Sequence, residues 1–136
     1  MMKARSAREI VLRMRNEIGT PNKVAKTLAD KGINILAVSA WVEGSDVVIR
    51  LLTDEPARAA DALKAQKHSA REVEVVVTEV DHKPGMLRRI TERLVQEEID
   101  IHHLYASAPA AQDKCLVVFA TANNDHAIVR LNADQR

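Results

Sequence analysis

The chain contains an internal repeat, and this repeat limits the possible folds more than any other feature of the sequence. A shift of 66 residues places Gly19 on Gly85, and the same shift superimposes Leu28 on Leu94, Ile33 on Ile99, Ile35 on Ile101 and Ala40 on Ala106. After a hairpin that is two residues longer in the second copy, a shift of 68 matches Thr53 with Thr121, Ala59 with Ala127 and Leu63 with Leu131. The 136 residues are therefore predicted to form two similar units.

Each copy follows the order strand, helix, strand, strand, helix, with an extended run after the first copy. Residues 8–15 alternate apolar and basic side chains, which is the period of a half-buried strand. Thr20 is the expected cap, and Pro21 the expected first residue, of a helix over residues 21–31. The later segments are strands over 33–42 and 46–53 around the turn 43–45, an alanine-rich helix over 56–65, and an extended run over 69–80.

This order predicts an α+β fold of two tandem ferredoxin-like βαββαβ units, each an antiparallel sheet with both helices packed on one face. We place the first domain at residues 7–73 and the second at 74–136. No strand-forming run follows the second helix of the second copy, so this unit is expected to lack its closing strand. Residues 74–80 are then expected to keep an open edge, which favours a homodimer or a higher even oligomer.

Charge and composition argue against several classes of protein. A formal net charge of +1 gives no basic face for nucleic acid, and one Phe, one Tyr and one Trp are too few for a base-stacking surface. The longest apolar runs are far shorter than the roughly 20 residues of a membrane-spanning helix. The first residues lack the apolar segment of a secretion signal, and the single cysteine, Cys115, suits a reducing compartment. The sequence predicts a cytoplasmic protein that binds neither nucleic acid nor membranes.

The segments GTPNKVAKTLADKGINI and DHKPGMLRRITERLVQEEIDI resemble the ACT-domain pattern D-x-P-G-x-L-x-x-I-x-x-x-L-x-x-x-x-I-N-I. The resemblance covers nearly the whole chain and is closest to small stand-alone proteins with two ACT domains. Three positions depart from the pattern. Ile18 replaces a frequent proline, and Glu98 and Asp100 replace a common glycine and asparagine.

The resemblance implies a regulatory role in which a ligand, often an amino acid, binds between ACT units. The ligand would contact the loop before the first helix of one unit and the start of the second strand of another, in the same chain or in a second one. Family members that bind amino acids often have two asparagines at positions that Asn16 and Asn34 match. The expected ligand-binding residues are Asn16, Glu17, Ile18, Gly19, Thr20, Asn34 and Ile35 in the first copy, and His82, Gly85, Met86, Asp100 and Ile101 in the second.

Several of these residues also have a purely structural interpretation. Gly19 and Gly85 suit plain turns, and Asn16 suits a turn that its own side chain stabilises. His82 and Asp100 replace the two asparagines in the second copy, so that site is expected to be vacant or to prefer a different ligand. These interpretations stay open at the level of sequence.

No catalytic or cofactor-binding string occurs in the sequence. His102 and His103 are adjacent on a predicted strand and point to opposite faces, so no metal site is expected there. An acylphosphatase-like enzyme would need an arginine in the loop after the first strand, and residues 16–22 contain none. We therefore predict a non-catalytic protein without cofactor that binds a small ligand, with a ligand-free protein–protein interaction module as the alternative.

Overall fold

The computed structural model describes residues 2–107 and 113–133, and their order of strands and helices is the predicted one. The elements are β1 Met2–Arg15, α1 Thr20–Asp30, β2 Ile35–Glu43, β3 Asp46–Thr53, α2 Pro56–Ala65, β4 Ala70–Asp81, α3 Met86–Gln96, β5 Ile101–Ser107, β6 Lys114–Thr121 and α4 Asn124–Asn132. In the part of the chain that is described, no helix has the length and apolar character that crossing a membrane requires.

The strands are hydrogen-bonded in the order β2-β3-β1-β4-β6-β5. The chain divides into two compact units, one of residues 8–73 and one that joins the residues up to 7 to those from 74 onward. Long strands β1 and β4 each contribute one part to each unit. The first unit therefore has the order β2-β3-β1-β4 and the second the order β1-β4-β6-β5, which are equivalent arrangements.

The core of residues 8–73 lies between one face of the sheet and both helices. Its members are fully or nearly buried: Ile10, Leu12, Val24, Leu28, Ile33, Val47, Ile49, Leu51, Ala59, Ala60, Leu63 and Ala70. Val24 and Leu28 lie one turn apart on α1, and Ala59 and Leu63 lie one turn apart on α2. Spacing of four residues puts each pair on one face of its helix, which explains how the apolar pattern selects this packing.

The second unit repeats this core at the predicted offsets. Ile90 and Leu94 of α3, together with Ala127 and Leu131 of α4, are fully buried against Phe119 and the other apolar residues of the sheet. Helices α1 and α3 begin 66 residues apart, and strands β3 and β6 begin 68 residues apart. The predicted fold of two ferredoxin-like units is confirmed.

One part of the predicted fold is wrong, namely the vacant closing strand of the second unit. The N-terminal part of β1 takes that position, with Met2 and Ala4 buried in the core of the second unit. The side-chain amide of Asn132 in α4 holds the N-terminal part of β1 in this position. Its Oδ1 accepts a hydrogen bond from the Ala4 N–H (2.8 Å), and its Nδ2 donates to the Ala4 carbonyl (2.9 Å). Strand β4 therefore has a strand on each side, and the expected open edge along residues 74–80 does not exist.

Candidate functional site

The loop between β1 and α1, residues 16–19, takes its shape from backbone hydrogen bonds. The Asn16 N–H donates to the Ser45 carbonyl (2.8 Å), which ties the loop to the turn between β2 and β3. The Thr20 N–H donates to the Glu17 carbonyl (3.2 Å). Gly19 has a φ of 90°, in the left-handed region that only glycine adopts without strain. The geometry of this turn therefore requires glycine at position 19.

The N-terminus of α1 differs from the sequence-based prediction. Thr20 was the expected cap, but Gly19 takes the capping position and Thr20 is the first helical residue, with its side chain nearly buried. Within residues 2–107 and 113–133, no side chain accepts a hydrogen bond from this end of the helix. Asn16, Glu17 and Ile18 are all exposed beside it. The loop thus presents polar side chains next to backbone N–H groups that lack a side-chain cap.

The loop before α3 repeats this geometry in the second unit. The His82 N–H donates to the Asp113 carbonyl (2.6 Å), as the Asn16 N–H does to Ser45. Gly85 also has a φ of 90°, it precedes a helix that no side chain in the described part of the chain caps, and Met86 after it is buried. A glycine in this conformation at both positions shows that the repeat extends to the backbone of the predicted site.

An ion pair lies at the end of β4, directly before the second loop. The Lys114 ammonium donates a hydrogen bond to the Asp81 carboxylate and holds the pKa of that carboxyl well below its usual range. In turn, the pair raises the pKa of Lys114. Because Asp81 immediately precedes His82, this ion pair helps to fix the start of the loop.

The second set of predicted residues lies where β2 and β5 begin. Asn34 is exposed and Ile35 is half-buried, and Asp100 and Ile101 repeat this pattern. The Asn34 carbonyl accepts a hydrogen bond from the Asp54 N–H (3.1 Å), and the Asp100 carbonyl accepts one from the Ala122 N–H (3.2 Å). Both strands have an irregular register directly after their first residue, between Ile35 and Ala37 and between Ile101 and His103.

Asp54 is a residue of this region that sequence reasoning missed. Its side-chain Oδ1 accepts a hydrogen bond from the Asn34 N–H (3.0 Å), so a carboxylate lies directly beside the start of β2. In the sequence, Asp54-Glu55-Pro56 indicates only the start of the helix over residues 56–65. The pairing of β2 with β3 brings Asp54 back to Asn34, and residue type alone gave no signal of that contact.

Within one unit the loop and the strand start lie at opposite ends of the sheet. Arg15, next to the loop, pairs with Asp46 at the N-terminal end of β3. Ile35 pairs with Thr53 at the C-terminal end of the same strand. Seven residue steps at ~3.3 Å separate these levels by roughly 23 Å. The structure therefore does not bring Asn16 and Asn34 of one chain together, and a site that uses both needs two copies of the chain.

The histidines of the second unit lie apart from any metal-binding arrangement. Among residues 2–107 and 113–133, no three His, Cys, Asp or Glu side chains are grouped closely enough to hold a metal ion. The His102 Nε2 lies 3.9 Å from the Asp100 Oδ2, and the ring of His103 stacks on Tyr105 with centroids 6.3 Å apart.

Comparison with known proteins gives one family and several similar structures. The family model of an ACT domain pair matches residues 6–133. A protein of known structure from Bacteroides thetaiotaomicron has a TM-score of 0.88 at 24% identity, over 97% of this chain and 90% of that one. The ligand-free regulatory subunit of aspartate kinase from Thermus thermophilus has a TM-score of 0.67 at 13% identity, over 98% and 97% of the two chains. A comparison with curated proteins gives no match.

A whole enzyme also contains this fold. Aspartate kinase from Clostridium acetobutylicum has a TM-score of 0.58 at 13% identity, over 96% of this chain but 33% of the enzyme. At these identities the likeness shows a shared fold and no more.

Proposed function

This chain belongs to the ACT family as an ACT domain pair, and on that basis we propose that it is a non-catalytic regulatory protein that binds a free amino acid. The observation that carries the proposal is the repeated loop, in which Gly19 and Gly85 each precede a helix that no described side chain caps. Backbone N–H groups and the helix dipole at such an end favour a carboxylate. A cytoplasmic location, as the sequence predicts, is part of this proposal.

The amino acid would lie between the loop of one copy of the chain and the strand start of a second copy. Its carboxylate would face the N–H groups near Gly19, and its other polar atoms would face Asn16 and the partner's Asn34. The roughly 23 Å that separate the two regions within one unit support a second copy as the source of the strand start. His82, Gly85 and Asp100 would form the corresponding site of the second unit.

The second copy is expected to pair through β2, which is the outermost strand of its sheet. Val38, Trp41 and Val42 of this strand are large apolar residues that remain exposed. Antiparallel pairing of two β2 strands about a twofold axis places the loop end of one copy beside the strand-start end of the other. The sequence-based expectation of a homodimer relied on an open edge along residues 74–80. That edge is covered, so the proposed homodimer relies on β2 instead.

A thermal-shift screen of the twenty amino acids tests the proposal. A ligand that binds only the folded protein stabilises it by about 2.7 kcal/mol at 100-fold its Kd. Asn34→Ala should abolish most of the shift while the fold is retained, and Gly19→Val should do so through strain in the loop backbone. Asn22→Ala, at an exposed position of α1, is the control. If no amino acid shifts Tm at millimolar concentration, the proposal fails. The exposed apolar residues of β2 then favour a protein–protein interaction module.

A further inference from the structure

The two units each place one carboxylate at the start of the second strand, but they take it from different positions. In residues 8–73 the pair is Asn34 and Asp54, and in the second unit the equivalent pair is Asp100 and Ala122. The backbone bond from the later residue to the earlier carbonyl is the same in both units, at 3.1 and 3.2 Å. Each unit thus has one carboxylate in this hydrogen-bonded pair, on the later residue in the first unit and on the earlier residue in the second.

A structural role does not account for this arrangement. Asp54 accepts a hydrogen bond from the Asn34 N–H, but an asparagine side chain would accept the same bond without a charge. The second unit forms the same junction with Ala122, so the side-chain bond is not required for the strand to begin there. What the two units share is the charge.

Neither carboxylate is neutralised by a strong ion pair within the described part of the chain. Asp54 is exposed and forms no salt bridge there. The Asp100 side chain is 83% exposed, and its nearest cationic group is the His102 Nε2 at 3.9 Å. The Oδ1 of Asp54 accepts the hydrogen bond from the Asn34 N–H. Because the side chain is exposed, its Oδ2 is open to a donor from a ligand.

We propose that Asp54 binds the ammonium group of the amino acid at the site of residues 8–73, and that Asp100 does so at the site of the second unit. The inference rests on the proposed function for the presence of an amino acid. Asp54 then determines specificity, because it distinguishes amino acids from acids of the same shape that lack the ammonium group. A charge-assisted hydrogen bond of this kind corresponds to roughly a tenfold to hundredfold change in affinity.

The test uses the full chain and two probes with the same side chain. These are the amino acid that gives the largest shift in the screen of twenty and its 2-hydroxy acid, each titrated by calorimetry. Asp54→Asn keeps the acceptor for the Asn34 N–H and removes only the charge. It should weaken amino-acid binding by roughly tenfold to a hundredfold and leave the 2-hydroxy acid unchanged. Asp61→Asn, which removes an exposed carboxylate from α2 of the same unit, should change neither affinity.

A second variant tests whether the charge matters. Asp54→Glu keeps a carboxylate here and should bind the amino acid at least about threefold more tightly than Asp54→Asn does, with the 2-hydroxy acid again unchanged. The inference is overturned if Asp54→Asn weakens both probes equally, if it weakens neither, or if Asp54→Glu binds the amino acid as weakly as Asp54→Asn. Absence of amino-acid binding by the wild type would instead refute the proposed function, and this inference with it.

Discussion

Asn132 is predicted to hold the N-terminal part of β1 in the second unit, because its amide makes both hydrogen bonds of a clamp on Ala4. Asn132→Ala removes a bond of 2.8 Å and a bond of 2.9 Å, each partly buried. At about 0.5–1.5 kcal/mol for each bond, the free energy of unfolding should fall by about 1–3 kcal/mol. Asn132→Asp keeps the acceptor for the Ala4 N–H but sets a carboxylate oxygen against the Ala4 carbonyl, so it should cost at least as much.

Urea unfolding followed by far-UV circular dichroism measures this loss, and hydrogen exchange at Val76 and Val80 locates it. These two residues share the core of the second unit with Met2 and Ala4. Faster exchange there is expected in Asn132→Ala. The assignment of β1 to the second unit would be refuted if the variant unfolds within about 0.5 kcal/mol of wild type, as an exposed substitution does, and exchange is unchanged.

Three further substitutions test other parts of the structure. Gly85→Ala should cost about 1–2 kcal/mol in urea unfolding through its positive φ alone, because no atom of the described residues lies within 4 Å of the added Cβ; an unchanged midpoint would contradict the strain. Arg50→Met should cost about 1.5–3 kcal/mol in the same assay, because it removes the charged hydrogen bond that Arg50 donates to the buried Glu9 carboxylate (2.7 Å); a gain in stability would contradict this. Lys114 lowers the pKa of Asp81 in the folded state, so the pair stabilises the fold above about pH 4 and loses that effect as the pH falls further. Asp81→Asn should therefore flatten the acid limb of a stability curve measured from pH 6 to pH 2, and an identical slope would count against it.

The helices and hairpins could be predicted from the sequence because their signals are local. Predicted residues 21–31 became α1 at Thr20–Asp30, and the turn around Gly44 joins β2 to β3 as expected. The glycines at 19 and 85 also fixed the register of the repeat. Thr20 was misassigned as the cap because a left-handed glycine ahead of a helix takes over that position, which residue preference alone does not reveal.

The closing strand was missed because it depends on contacts between distant parts of the chain. Residues 2–7 do alternate apolar and basic side chains at their start, with Met2 and Ala4 inward, so a strand signal was present but short. No local signal tells which sheet such a strand joins, and Ala4 meets its partner Asn132 across 128 positions of the chain. Asp54 was missed for the same reason, since only the pairing of β2 with β3 brings it to Asn34.

The proposed site can be tested most directly by mixing two inactive variants. Gly19→Val disables the loop and Asn34→Ala disables the strand start, so neither homodimer has an intact site of this kind. In a twofold dimer that exchanges chains, half of the dimers are mixed, and each of these has one intact site of two. Equilibrium dialysis of the best amino acid should therefore recover about a quarter of the wild-type sites in residues 8–73. Recovery of none, while chain exchange is demonstrated, would contradict a ligand held between the loop of one copy and the strand start of its partner.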